Sequence, residues 1–155
     1  MKFTPIYFYL LLTLAGLGFS CQEENVASAY QGDGLTISSR VIAGWCNGDD
    51  SLFVSPDSVV YWSSDSTLCN IVEDTAQVFS AQEWKTLRAL LDVERFRAIE
   101  LNTCGVCADG NDTILEIRGR DFRHQIRYSD GNAAILQPIR PFIDKLNAIR
   151  TDTKQ

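Results

Sequence analysis

Cys104 and Cys107 are the residues of this chain best placed to do chemistry. A Cys-x-x-Cys pair can close as a structural disulfide, exchange electrons as a redox pair, or supply half of a zinc site. The redox use wants the first thiol at a helix N-terminus after a strand, where its pKa is lowered. Here Ala108, Asp109, Gly110, Asn111 and Asp112 follow, a run that reads as a turn. Two nearby carboxylates would raise a thiol pKa. A zinc site needs a second close pair of ligands, and Cys46 and Cys69 lie far apart in sequence. The structural disulfide is therefore the favoured reading for Cys46, Cys69, Cys104 and Cys107. Their pairing stays open: Cys104 with Cys107 and Cys46 with Cys69, or either crossed arrangement.

Other candidate groups point away from catalysis. The single histidine, His124, shares an alternating face with Phe122, Ile126 and Tyr128. Packing with one satisfied hydrogen bond is expected of it, rather than acid–base work. Asp109, Asn111 and Asp112 around Gly110 match part of a calcium loop, but the glutamate that closes such a loop is missing. Glu73-Asp74 and Asp49-Asp50 are adjacent pairs whose side chains diverge. There is no Gly-x-Ser-x-Gly, Walker loop or zincin helix. No catalytic residue, metal or cofactor is expected.

The N-terminus carries an address. Lys2 is followed by an apolar run from Ile6 to Phe19 that ends at Ser20-Cys21. A charged start, an apolar stretch and a small residue before the cut make a secretory signal. The run is short for a membrane span, which takes ~20 apolar residues. With cysteine next, Leu17-Gly18-Phe19-Ser20-Cys21 resembles the lipobox of bacterial lipoproteins, in looser forms common in Bacteroidetes. That resemblance implies cleavage after Ser20, acylation of Cys21 and a membrane anchor. Gln22-Glu23-Glu24 resembles the acidic export signal that sends some such lipoproteins to the outer face of the outer membrane. The expected organisation is a signal peptide over 1–20, a polar tether over 21–34 and one domain over 35–155.

Loss of Lys2 takes the formal charge from −6 to about −7. An acidic chain argues against nucleic acid as partner, which needs a basic footprint. Cysteines in an exported domain support disulfides.

The elements that must position these residues follow from periodicity. Residues 35–43, 51–54, 58–62 and 68–72 read as strands of an antiparallel meander. Ser80-Ala81-Gln82-Glu83 fits a capping box. Trp84, Leu87, Leu90 and Leu91 then predict a helix to about Asp92, with Val93, Phe96 and Ile99 continuing as a short turn. Residues 113–118 and 122–128 predict a hairpin about Gly119-Arg120-Asp121. Ile135, Ile139, Phe142, Ile143, Leu146 and Ile149 predict a last helix, which Pro138 and Pro141 place from near Pro138 to near Arg150. Arg150 suits the C-terminal end of its dipole. The fold class is α+β: a single antiparallel β-sheet with two helices packed on one face.

The segment Cys104-Gly-Val-Cys-Ala-Asp-Gly, a hairpin and a Pro-Phe-Ile-Asp-x-Leu helix resemble small uncharacterised Bacteroidetes lipoproteins. Gly44-Trp45-Cys46 is similar to their Gly-aromatic/acidic-Cys segment. The strand–helix–hairpin–helix order is loosely similar to emfourin-type metalloprotease inhibitors, without their Gly-Gly-rich reactive segment. Asp followed by Ser51, Ser58, Ser66, Thr75 or Thr113 resembles the O-glycosylation sequon of exported Bacteroidetes proteins. The same pairs also end turns and begin strands.

The functional expectation is a lipid-anchored envelope protein whose domain binds a protein or envelope component without catalysis. Alternatives are a thiol-redox or hydrolytic enzyme and a protease inhibitor. An apolar patch on the sheet face away from the helices would favour a subunit of a larger envelope complex.

Overall fold

The structure, a computed structural model, describes residues 34–44, 49–64 and 71–154, the side chains of 71–74 and 130 excepted. Among them lie strands β1 (Thr36–Ala43), β2 (Asp50–Val54), β3 (Ser58–Ser64), β4 (Ile71–Val78), β5 (Asn111–Arg118) and β6 (Arg123–Tyr128). They form one antiparallel sheet in the order β4-β3-β2-β1-β5-β6. Helices α1 (Ala81–Ala89), α2 (Val93–Arg97), α3 (Ala133–Leu136) and α4 (Arg140–Thr153) complete the α+β fold. The two helices expected from sequence are α1 and α4; α2 is the short turn expected over Val93 to Ile99, and the short α3 is additional.

Alternation along the strands builds the core. β1 buries Ile37, β2 Leu52 and Val54, β3 Val59 and Tyr61, β5 Leu115 and Ile117, and β6 Ile126. Ile37 lies opposite both Val54 and Ile117, Leu52 opposite Tyr61, and Leu115 opposite Ile126. One sheet face is thus largely apolar, with Ser39 of β1 as a buried polar exception. Trp84 and Leu87 of α1, Phe96 of α2 and Phe142, Leu146 and Ile149 of α4 complete this core.

The capping box forms as its residues predict. Glu83 N donates to Ser80 Oγ at 3.2 Å, and Ser80 N donates to Glu83 Oε2 at 3.0 Å. These Ser80 bonds hold the Glu83 carboxyl below its ordinary pKa. The helix ends at Ala89, short of Asp92, because Asp92 caps the next one by accepting from Arg95 N at 3.0 Å. His124 has the packing role expected of it. Its Nε2 lies 2.9 Å from Ile99 O, and its ring meets Phe96 edge-on at 5.1 Å.

Two boundaries differ from expectation. The fourth strand runs over Ile71–Val78, well past residue 72. Its centre, Glu73-Asp74-Thr75-Ala76-Gln77, lacks apolar alternation, and Ala76 and Gln77 of this edge strand are exposed, so the segment carries no periodic strand signal. The last helix begins at Arg140, after α3 and a 3₁₀ turn over Gln137–Ile139. Pro138 and Pro141 each sit in a first turn, where a missing N–H loses no bond.

That helix also runs past Arg150, which is buried rather than a surface cap. Arg150 Nη2 donates to Ser39 O at 2.9 Å and Ser39 Oγ at 2.7 Å. Its Nε stands 3.0 Å from Asp50 Oδ1, in ion-pair range but off the hydrogen-bonding direction. Lys154 Nζ reaches Asp50 Oδ2 at 3.0 Å and lies 5.1 Å over the Tyr61 ring. Hydrogen bonding to Tyr61, opposed by desolvation and reinforced by Asp50, raises the Lys154 pKa. A buried polar joint therefore fastens α4 across β1, β2 and β3.

Candidate functional site

Cys104 and Cys107 are disulfide-bonded, with Cα atoms 5.3 Å apart. The structure thus selects the local closure from the pairings left open by sequence. The bridge encloses the start of a 3₁₀ turn, Gly105–Ala108, in which Cys107 N donates to Cys104 O at 3.1 Å. Asp109 ends the turn at φ 56°, a left-handed conformation that Asp tolerates better than most residues. Gly110 N then donates to Gly105 O at 2.9 Å. A Cβ on Gly105 would stand 2.8 Å from Asn111 O and 3.1 Å from Asp112 Oδ1, so the turn admits only glycine there without moving.

Beneath this knuckle lies Asp112, whose side chain is 0 % exposed. Its Oδ1 accepts from Gly105 N at 2.9 Å and Thr103 Oγ1 at 3.1 Å. Its Oδ2 accepts from Val106 N at 3.2 Å and from Arg127 Nε and Nη2 at 3.1 and 2.8 Å. Burial pushes the Asp112 pKa up. Hydrogen bonds from Gly105, Arg127, Val106 and Thr103 outweigh it and hold the carboxyl below its ordinary range. The same Arg127 Nη2 stands 3.6 Å from Cys104 Sγ. Sequence reasoning weighed only carboxylates near the thiols. The structure adds a cation from β6, and that cation also neutralises the nearest carboxylate. Arg127 is fixed by its own backbone: its N donates to Leu101 O at 2.8 Å, and its O accepts from Thr103 N at 2.9 Å.

Asp112 shares its sheet face with Ile114 and Glu116, opposite the helices. On this open face the register sets Phe53 beside Val60 and Ser51 beside Trp62. Phe53, Val60, Trp62, Ile42 and Ile114 are each half-buried, and Val78 at the β4 end is 90 % exposed. Ions rim this strip. Arg40 pairs with Asp49 at 3.0 Å, and Glu116 sits between Arg118 and Arg123 at 2.7 Å from each. Burial raises the Glu116 pKa, and hydrogen bonds from Arg123 and Arg118 more than reverse it. A shallow depression of about 190 Å³ lies among Thr36, Ser38, Phe53, Glu116 and Arg118.

No family model matches this chain, and no curated protein matches it.

Of the residues singled out by sequence, Cys104 and Cys107 come together. Cys21, Cys46, Cys69 and Ser66 lie outside the described residues. Ser51, Ser58, Thr75 and Thr113 lie within strands and are half-buried, with the Ser58 hydroxyl 2.6 Å from Ser55 Oγ. The calcium-loop fragment is not assembled as ligands, since Asp112 points at donors. No group of three or more His, Cys, Asp or Glu among the described residues is placed to hold a metal ion. No helix among them is long and apolar enough to cross a membrane. Sequence reasoning missed Arg127 and Thr103 as partners of Asp112. An Asp opening a strand beside a Cys-x-x-Cys turn was the available signal, but its partner lies in another strand.

Proposed function

We propose that this chain is a lipid-anchored envelope protein, held through Cys21, whose domain binds a protein or other envelope component without catalysis. The observation that carries the reading is the open sheet face. Phe53, Val60 and Trp62 lie side by side there, half-exposed and rimmed by Arg40, Arg118 and Arg123. Aromatic side chains and arginines are the residues that dominate binding hot spots. An apolar strip with an ionic rim also has the anatomy of an interface. Such a strip favours stable assembly with a protein partner. Acyl chains at Cys21 would supply membrane attachment and leave the sheet face free for that partner.

The test uses the full chain in cells that export it. A photo-crosslinking residue at Val60 is compared with one at Glu94 on α2. A discrete, reproducible adduct from Val60 alone supports the reading, and Trp62→Asp should abolish it. Equal or absent adducts at the two positions overturn it. Anchoring is read separately: Cys21→Ala should move the protein from the membrane fraction to the soluble fraction.

A further inference from the structure

We propose that the Cys104–Cys107 bridge is a thiol-exchange site, attacked at Cys107, from which Cys104 leaves as a thiolate held by Arg127. Three observations converge on it. Both cysteines are exposed, so a thiol in solution reaches the bridge. Arg127 Nη2 is 3.6 Å from Cys104 Sγ, and the guanidinium is anchored from behind by the buried Asp112. The two amides between the cysteines, Gly105 and Val106, are bonded to Asp112, so the turn stays docked when the bridge opens.

An arginine beside a thiol lowers its pKa, and the thiol of lower pKa is the better leaving group. Among the described residues, the charged groups about the bridge include Arg127, Asp112 and the exposed Asp109. Arg127 faces the sulfur, while Asp112 has both oxygens filled by donors. The co-reactant is a dithiol, small or protein-borne. Its thiolate attacks Cys107 Sγ and a mixed disulfide forms there. The Cys104–Cys107 bond breaks, and its electron pair leaves on Cys104. The second thiol of the reductant, deprotonated, then attacks its own sulfur in the mixed disulfide. Cys107 is released and takes up a proton, and the dithiol ends as a disulfide. The turn lies on the face that carries Phe53 and Trp62, which makes it a redox-modifiable part of that face rather than a catalytic centre.

Two measurements on the full mature chain test this. In a glutathione redox buffer quenched by acid, peptide mapping should place glutathione on Cys107 over Cys104 by about ten to one or more. An excess on Cys104, or no adduct on either, overturns the proposal. In a Cys107→Ser variant, the alkylation rate of Cys104 against pH should give a thiol pKa at least about one unit below the ordinary ~8.5. A value at or above ~8.5 overturns it. The first measurement needs no substitution, so poor folding of the variant leaves the proposal exposed to refutation.

Discussion

Replacing Asp112 with asparagine isolates the charge beneath the knuckle at almost constant volume. Five donor contacts of 3.2 Å or less converge on its two oxygens. An amide presents one oxygen and one NH₂ group. In one orientation the NH₂ faces Gly105 N and Thr103 Oγ1; in the other it faces Val106 N and both Arg127 nitrogens. Either way at least one N–H donor loses its acceptor, although the Thr103 hydroxyl can still donate to Arg127 O at 3.3 Å, and Arg127 loses its counter-charge. Breaking a buried ion pair by removing one partner costs about 3–5 kcal/mol. The Arg127 side chain is 23 % exposed and regains some water, so about 2–4 kcal/mol is expected here. For a domain of this size that lowers Tm by roughly 6–12 °C. Urea unfolding with the disulfide intact, checked by mass, provides the assay. Asp109→Asn is the control in the same turn, since Asp109 is exposed and Asn also tolerates φ 56°. It should stay within about 0.5 kcal/mol of the parent. A loss under about 1 kcal/mol for Asp112→Asn would refute the view that this carboxylate organises the turn.

Gly105→Ala should cost about 1–3 kcal/mol, because its Cβ meets backbone and carboxylate oxygens; thermal unfolding tests this. Arg150→Ala should cost about 2–3 kcal/mol in urea, below a full buried-pair loss because Lys154 still partners Asp50. Ser80→Ala removes the α1 cap and should cost about 1 kcal/mol. Stability should also fall on acidification. The Asp112, Glu116 and Glu83 pKa values are lowered by folding, so their contribution is complete above the unfolded carboxylate range of about 4. It is lost as pH falls through the folded values. Unfolding midpoints taken from pH 7 downward should show this, with a smaller acid loss in Asp112→Asn.

The legible parts of the fold are those whose signals are local. Ser80 and Glu83 announce a helix start within four residues, and the hairpin about Gly119 repeats its alternation on both arms. The edge strand β4 is hidden because its central side chains are mostly polar. The site was half visible. Cys104 and Cys107 name themselves by spacing, but Arg127 and Arg150 look like ordinary surface cations. Their partners are 15 and 111 residues away, Asp112 and Ser39 respectively, and only sheet pairing and helix packing bring them together. Asp112 itself reads equally as a turn residue, because burial depends on a neighbouring strand and the cysteine turn closing over it.

β1 is the first strand of the sheet in sequence and one of its inner strands, bonded along its length to β5 and over much of it to β2. Tension arriving through the chain before Gly34 therefore acts along an interior strand. Hydrogen bonds in an antiparallel pair run across the strands, so a pull along β1 loads many of them at once in shear. Peeling an edge strand such as β4 would break them one at a time. A domain tethered by that end and gripped on its open face would resist extraction by force far better than its equilibrium stability alone suggests.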